Sequence, residues 1–375
     1  MFAKIRRFLS RDRGQVIMMV VLFAPILLGM TGMAVDLAGY AADRRDLQNA
    51  ADAIALASAK ELPNSSNATT VAQTYATRNN VNWSNVTLTL DTSTTGNTNP
   101  SVTVQISRPH KFNFLKVLGI TRSNVGARAK AIKASYGGGT GIVPWSVTQV
   151  TVDNSPPGAL ITMKYDATGV NNGNFGAIRI DGPGSNVYNS SVMYGATSVA
   201  CAATAPHCSA GSCPGQYPNV CAETAPECDG PDCNPQTGNM VGPTRTGVDF
   251  RMNYTSTACD TFAEVFSGPD ASGKYQLNAN CNPWADGPGK CTTPTSLCSR
   301  RVIVIPVIDH FGNGSSDPVT IQRFALVFLE GYDSGKCSGN ECEIKGRFVN
   351  AEVNANALAG YYDEQASIHF TRLTE

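Results

Sequence analysis

The sequence predicts an α+β protein in four parts. These are an N-terminal single transmembrane helix, an Ala-rich stalk helix extending it, a small α+β module, and a β-rich region stapled by disulfides. Three observations carry that expectation. An uncharged apolar run from Val16 to Val35 opens the 375-residue chain, alternating strand patterns follow from Val86 onward, and all twelve Cys lie after residue 200. With 29 basic and 29 acidic residues the chain lacks the basic excess of a general nucleic-acid binder, so no nucleic-acid partner is expected. Its four His (His110, His207, His310, His369) argue against a His-rich metal enzyme.

Residues 1–14 form a basic segment, with Lys4, Arg6, Arg7, Arg11 and Arg13 against the single acid Asp12. The twenty residues Val16–Val35 follow, enough at ~1.5 Å per residue to cross a hydrocarbon core of ~30 Å. A cleaved signal would have a shorter apolar core and a small-residue cleavage site soon after it, so residues 15–36 are expected to stay as an anchor. Past the run stand Asp36, Asp43, Asp46 and Asp52 with only Arg44 and Arg45 among them. Basic residues therefore crowd the N-terminal flank, which places that end in the cytoplasm and the bulk of the chain on the extracytoplasmic side of the cell membrane. Pro25 is expected to bend the helix. Gly29, Gly32, Ala34, Ala38 and Ala42 make a small-residue stripe that would admit a second helix, including helix-mediated self-association; a merely bendable helix explains them equally well.

Residues 37–62 continue the helix. Leu47, Ala50, Ala51, Ile54 and Ala57 recur at helical spacing, Ala is the best helix former, and Pro63 supplies the stop. The Ala-rich face suits close packing, either against another helix or against the chain's own outer domain.

The stretch from Arg11 to Ala59 resembles the N-terminal segment of TadE/TadG-like Flp (Tad) pilus-assembly proteins. Arg13-Gly14-Gln15 before the apolar run, Gly32 and Asp36 near its end, and Arg45, Leu47, Gln48, Ala50, Ala51 and Asp52 beyond it carry the likeness. NNGNFGAIRIDGPG, GNMVGPTRTGV and VIVIPVIDHFG also look like outer portions of some TadG-like proteins. The resemblance implies a membrane-anchored structural or accessory component of a Tad/Flp-type pilus assembly or secretion apparatus, with the lipid bilayer and other pilus or secretion components as partners. It does not imply an enzyme. Some relatives are cleaved after a Gly preceding the apolar segment. Gly14 holds that place, but residues 15–22 lack the Glu expected early in a mature pilin helix, so an uncleaved anchor is expected.

Residues 63–136 read as the α+β module. Val71–Arg78 is expected as a short helix, Val86–Leu90 and Val102–Ile106 as a hairpin of alternating strands, FNFLKVLG (112–119) as a short apolar helix, and Val125–Ala131 as a further strand. Asp91-Thr92-Ser93-Thr94-Thr95 has the outline of the ion-binding D-x-S-x-S of von Willebrand A-type domains. GNTNP follows it where a helix would be needed, so it reads as the hairpin turn. GGGTG (137–141) reads as a linker and lacks the Lys-Ser/Thr ending of a phosphate loop.

Residues 137–375 read as short strands between turns: Ala159–Tyr165, Gly176–Ile180, Arg301–Ile308 and Gln322–Glu330. The Asp-Gly-Pro clusters at 181–184, 229–232 and 286–289 read as turns rather than calcium loops, because alternating acidic ligands are missing. Residues 201–220 and 221–240 form a tandem repeat, matching at nine of twenty positions with C-x6-C-x4-C spacing in both copies. Cys201, Cys208, Cys213, Cys221, Cys228, Cys233, Cys259, Cys281, Cys291, Cys298, Cys337 and Cys342 are the disulfide candidates, favoured by export and an even count. Structural zinc is the rival, since the C-x4-C pairs and His207 fit the upper edge of its ligand spacing.

No catalytic residue, cofactor or metal ligand is expected. G-x-S-x-G and H-E-x-x-H are absent. Gly211-Ser212-Cys213-Pro214-Gly215 has the outline of a nucleophile elbow, but Cys213 belongs to the repeat and Pro214 obstructs the turn into a helix. Asp309-His310 has no nucleophile by spacing, and His310 reads as closing a strand. The alternative to a pilus role is a surface-displayed adhesin or ligand-binding protein using the same anchor.

Overall fold

The computed structural model of the chain describes residues 12–94, 98–167, 174–203, 205, 228–229, 232–253, 259–271, 273–283, 298–335, 337–352 and 358–374. It is α+β, with a long apolar helix first, mixed helix and sheet after it, and disulfides toward the C-terminus. The chain divides into two compact units, Met1–Thr92 with Ser101–Ile132 and Arg372–Glu375, and Ser93–Pro100 with Lys133–Thr371. That boundary differs from the one expected at 136/137, because strand β3 (Arg122–Gly139) runs through the expected linker.

In the first unit, helix α1 (Asp12–Lys60) is continuous through Pro25. Its first part leaves Ile17, Met18, Val21, Leu22, Leu27 and Leu28 exposed, while Leu47, Ala50, Ala51, Ile54, Ala55 and Ala59, with Leu62 just beyond its end, are buried. Helix α2 (Ser65–Arg78) starts at Asn64, whose side chain accepts the Asn67 N–H, and buries Ala68, Ala72 and Ala76 at i, i+4, i+8. Strands β1 (Val86–Asp91) and β2 (Ser101–Lys111) are antiparallel from Val86↔Ile106 to Asp91↔Ser101, and β2 pairs with β3 from Ser101↔Ile132 to Lys111↔Arg122. Val102, Val104, Ile106, Val125, Ala129 and Ala131 meet the Ala faces of both helices in one core. The 37–62 helix is therefore packed on the chain's own module rather than standing as a bare stalk. Small side chains on α1 and α2 let their backbones come close over the sheet.

In the second unit, β4 (Val147–Thr148) lies parallel to β7 (Val302–Ile308), and β7 pairs antiparallel with β8 (Val319–Tyr332), which pairs with β9 (Ile344–Val349), which pairs with β5 (Leu160–Lys164). Every residue of β7 is buried, so VIVIPVI reads as a continuous apolar run instead of an alternating one. Trp145, Met163, Ile303, Ile305, Val307, Val327 and Leu329 form the core beneath helices α3 (Ser185–Tyr194) and α4 (Val241–Met252). The buried Trp145 indole N–H donates to Tyr188 Oη at 2.8 Å, and that hydroxyl bonds Thr244 Oγ1 at 2.9 Å. Lys164 is also buried. Its ammonium donates to Asn239 Oδ1 and the Tyr165 and Cys342 carbonyls, and burial pushes its pKa down to about 8.

GGGTG is a correction. Gly137–Gly139 belong to β3, where Gly138 opposes Cys201 of β6 (Ala200–Cys201) and Leu358 of β10 (Leu358–Gly360). A glycine run reads as a linker until one sees that missing side chains also let strands approach on two sides. Cys259–Cys281 and Cys337–Cys342 are disulfides, and Cys201, Cys233 and Cys298 are disulfide-bonded as well. Cys208, Cys213, Cys221 and Cys291, with His207 and the supposed nucleophile elbow, lie outside the described residues. Asp181 of the first Asp-Gly-Pro turn accepts the Thr197 and Ser198 N–H groups and the Ser191 hydroxyl, as a turn residue would.

Candidate functional site

One stripe of helix α1, where its apolar surface ends, is wired to the distal end of the β2–β3 hairpin. Gly32, Asp36, the Gly39-Tyr40 pair and Asp43 follow at i+3 and i+4 steps and so share a face. Asp36 is buried although it sits at the border of the longest apolar run in the chain. Its Oδ1 accepts the Asn113 N–H at 3.0 Å, and its Oδ2 accepts those of Phe114 and Leu115, both at 2.7 Å. The three donors open the 3₁₀ turn Leu115–Leu118, whose first N–H groups have no partner within the turn itself. A carboxylate is suited to this place because both oxygens accept and neither donates.

One turn earlier, Gly32 lies directly under the Phe114 ring; a Cβ there would stand 2.7 Å from Phe114 Cγ and Cδ1. Two turns later, Asp43 accepts Arg108 Nη2 at 3.0 Å and pairs with His110 Nδ1 at 2.7 Å. His110 packs edge-on against Tyr40 and Phe112, and the Tyr40 hydroxyl donates to the Asn124 carbonyl. Arg108, His110 and Phe112 alternate along one face of the hairpin, as a two-residue period requires. Further along, Gln48 Nε2 donates to the Arg128 carbonyl and to Asp52.

The His110 hydrogen bond, then the Arg108 charge, hold the Asp43 carboxyl below the usual carboxylate range. A depressed carboxylate contributes stability above its unfolded-state pKa of about 3.9, and that contribution disappears as pH falls through the lower folded value. Asp43→Asn in detergent is therefore expected to lower the melting temperature at neutral pH, by about 1 kcal/mol or less for a partly exposed pair. The gap to wild type should close in melting curves taken over the range below about pH 4. A gap that stays constant across that range would show that the carboxylate charge is not what holds the hairpin.

Of the small-residue positions, Gly32 is taken by Phe114 of the same chain, whereas Gly29, Ala34, Ala38 and Ala42 are exposed. Sequence reasoning singled out Gly32 and Asp36 but not their contact with Phe114, nor the role of His110. The available signal was two acids seven residues apart on one helix face, Asp36 and Asp43, in otherwise Ala-rich surroundings. Among the described residues, no group of three or more His, Cys, Asp or Glu could hold a metal ion. The arrangement fixes a hairpin to a helix at a set height.

No curated protein and no solved structure matches the chain. Residues 14–61 match the family model described as "Putative Flp pilus-assembly TadE/G-like", a span that takes in the apolar run, Gly32, Asp36, Asp43 and the Ala-rich face. From the apolar helix to the end of its packed face, this protein thus carries a TadE/G-like segment, similar over those residues to Flp pilus-assembly proteins.

Proposed function

We propose that the chain is a structural or accessory protein of a Tad/Flp-type pilus assembly or secretion apparatus. In this reading residues 15–36 hold it in the cell membrane by a single pass, with the N-terminus cytoplasmic and the bulk extracytoplasmic, and the protein has no catalytic role. The carrying observation is the TadE/G-like segment on a helix whose apolar part is exposed: Ile17–Lys60 is long and apolar enough to cross a membrane, and its most apolar window is only 6% buried. An exposed apolar surface of that length in water is unfavourable at about 25 cal/mol per Å², and lipid removes the penalty. The basic flank before it supports the orientation. Disulfides such as Cys259–Cys281 support an oxidising compartment for the second unit. Other pilus or secretion components are the proposed partners.

Two fusions at the C-terminus test the topology, one to an alkaline phosphatase active only after export and one to a fluorescent protein that matures in the cytosol. Phosphatase activity with a dark fluorescent fusion is expected, in membranes that retain the protein after alkaline wash. The reverse pattern would end this reading. Affinity purification from detergent should bring down pilus or secretion components, and their consistent absence would leave the anchor without the pilus role.

A further inference from the structure

The tip of the β2–β3 hairpin carries an apolar cluster that the core does not use. Phe114, Val117, Leu118 and Ile120 are 51%, 83%, 66% and 48% exposed, although each is large and apolar. The Gly32–Phe114 contact holds them beside a part of α1 in which Met30, Met33, Val35 and Leu37 are also exposed. Phe114 thus sits about one helical turn, ~5 Å, back from Asp36 toward the middle of the apolar run.

The backbone of the tip is unusually well provided for. Besides the three N–H groups on Asp36, Phe112 N–H donates to the Thr121 carbonyl, Val117 to Phe114, Gly119 to Lys116 and Ile120 to Leu115. A loop that stays in water has no need of a buried carboxylate for its N–H groups. A loop that enters an apolar medium does, because unsatisfied backbone groups there cost several kcal/mol each. Lys111, Lys116 and Arg122 are exposed around the cluster, a basic fringe suited to lipid phosphates.

We infer that Phe114, Val117, Leu118 and Ile120 form a second, shallow membrane contact, inserted into the interfacial region of the leaflet at the Asp36 end of the helix. The inference rests on the anchor reading above and adds to it. The occupant is lipid, because the cluster is continuous with the helix surface that the anchor reading gives to lipid and is fringed by basic residues. The hairpin then sets the depth and tilt of α1, and Asp36 joins the two insertions. Trp and Tyr belts commonly perform this office at helix ends; here a strand hairpin does.

The test uses the full chain in vesicles of phosphatidylethanolamine and phosphatidylglycerol, with an environment-sensitive fluorescent amino acid at Leu118 or, separately, Val117. Both positions are exposed, so the probe displaces no packed neighbour. A probe at Leu22 reports the anchor, and one at Thr87, exposed on β1, reports the aqueous baseline. Insertion predicts blue-shifted emission at 118 and 117, quenching by nitroxide-labelled lipid, and iodide quenching several-fold below that at Thr87. Lipid quenching at Leu22 with aqueous behaviour at 117 and 118 would overturn the inference and leave the anchor standing. Protection of 117 and 118 from both quenchers would also overturn it, because a protein partner would then cover the tip. Absence of lipid quenching at Leu22 would remove the anchor reading and the inference with it.

Discussion

Asp36→Asn is expected to detach the hairpin tip from helix α1 despite being nearly isosteric. The carboxylate accepts the N–H groups of Asn113, Phe114 and Leu115, two of them on Oδ2. An amide keeps one oxygen and replaces the other with a donor, so at least one backbone N–H is left facing N–H. Bonds to a charged acceptor contribute about 1.5–3 kcal/mol, and a buried donor left unpaired costs about 1–3 kcal/mol, so a loss of roughly 3 kcal/mol in the first unit is expected. Asp36→Ala should cost as much or more, and Asp36→Glu should not rescue it, since one more methylene pushes the carboxylate into the tip backbone. Hydrogen exchange read by mass spectrometry in detergent checks this. Amides 113–115 should pass from strongly protected to fast-exchanging, while those of β7 keep wild-type protection. Unchanged protection at 113–115 in the Asn variant would refute the account of Asp36 as the acceptor.

Gly138→Ala is expected to be strongly damaging to the second unit. Gly138 has φ +148°, a conformation that side chains rarely adopt, and its Cβ would stand within 2.3 Å of the Ala200 carbonyl oxygen and 2.8 Å of Cys201 Cα. Both obstacles are backbone, so no rotamer change relieves them. Strain of about 1–3 kcal/mol for the dihedral and a similar amount for overpacking sum to roughly 2–6 kcal/mol. Gly141→Ala, also at positive φ but with open space around the new methyl, should cost only the dihedral part. Thermal unfolding followed through the buried Trp145 would rank the two variants. Equal melting temperatures would mean that β6 does not hold Gly138 as tightly as described.

A similar close approach explains the behaviour of Gly32, where Phe114 fills the space a side chain would need. The two glycines show why glycine is hard to read from sequence. Gly32 was singled out for packing against another helix and instead receives a ring from its own chain. Gly138 sat in a run that looked like a linker and instead lies in a strand where a second backbone comes close. A missing side chain announces that something comes near, or that the chain turns, and does not say which.

The long helix was legible at once, because a twenty-residue apolar run and an i, i+3, i+4 recurrence of Ala and Leu are local properties. The β1–β2 hairpin was legible for the same reason, a two-residue alternation interrupted by turn residues. The TadE/G-like likeness lay in residues that neighbour one another in sequence, from Arg13-Gly14-Gln15 to Asp52, and residues 14–61 match that family. Only the tertiary structure decided what the Ala face and the acids touch. Asp36 meets residues 77–79 positions away, and Asp43 meets Arg108 and His110 across 65 and 67. Periodicity reports which side of an element is apolar, because that depends on the residue's own transfer free energy. Which distant backbone brings three N–H groups to one carboxylate depends on hairpin register and length, and these are properties of the folded whole.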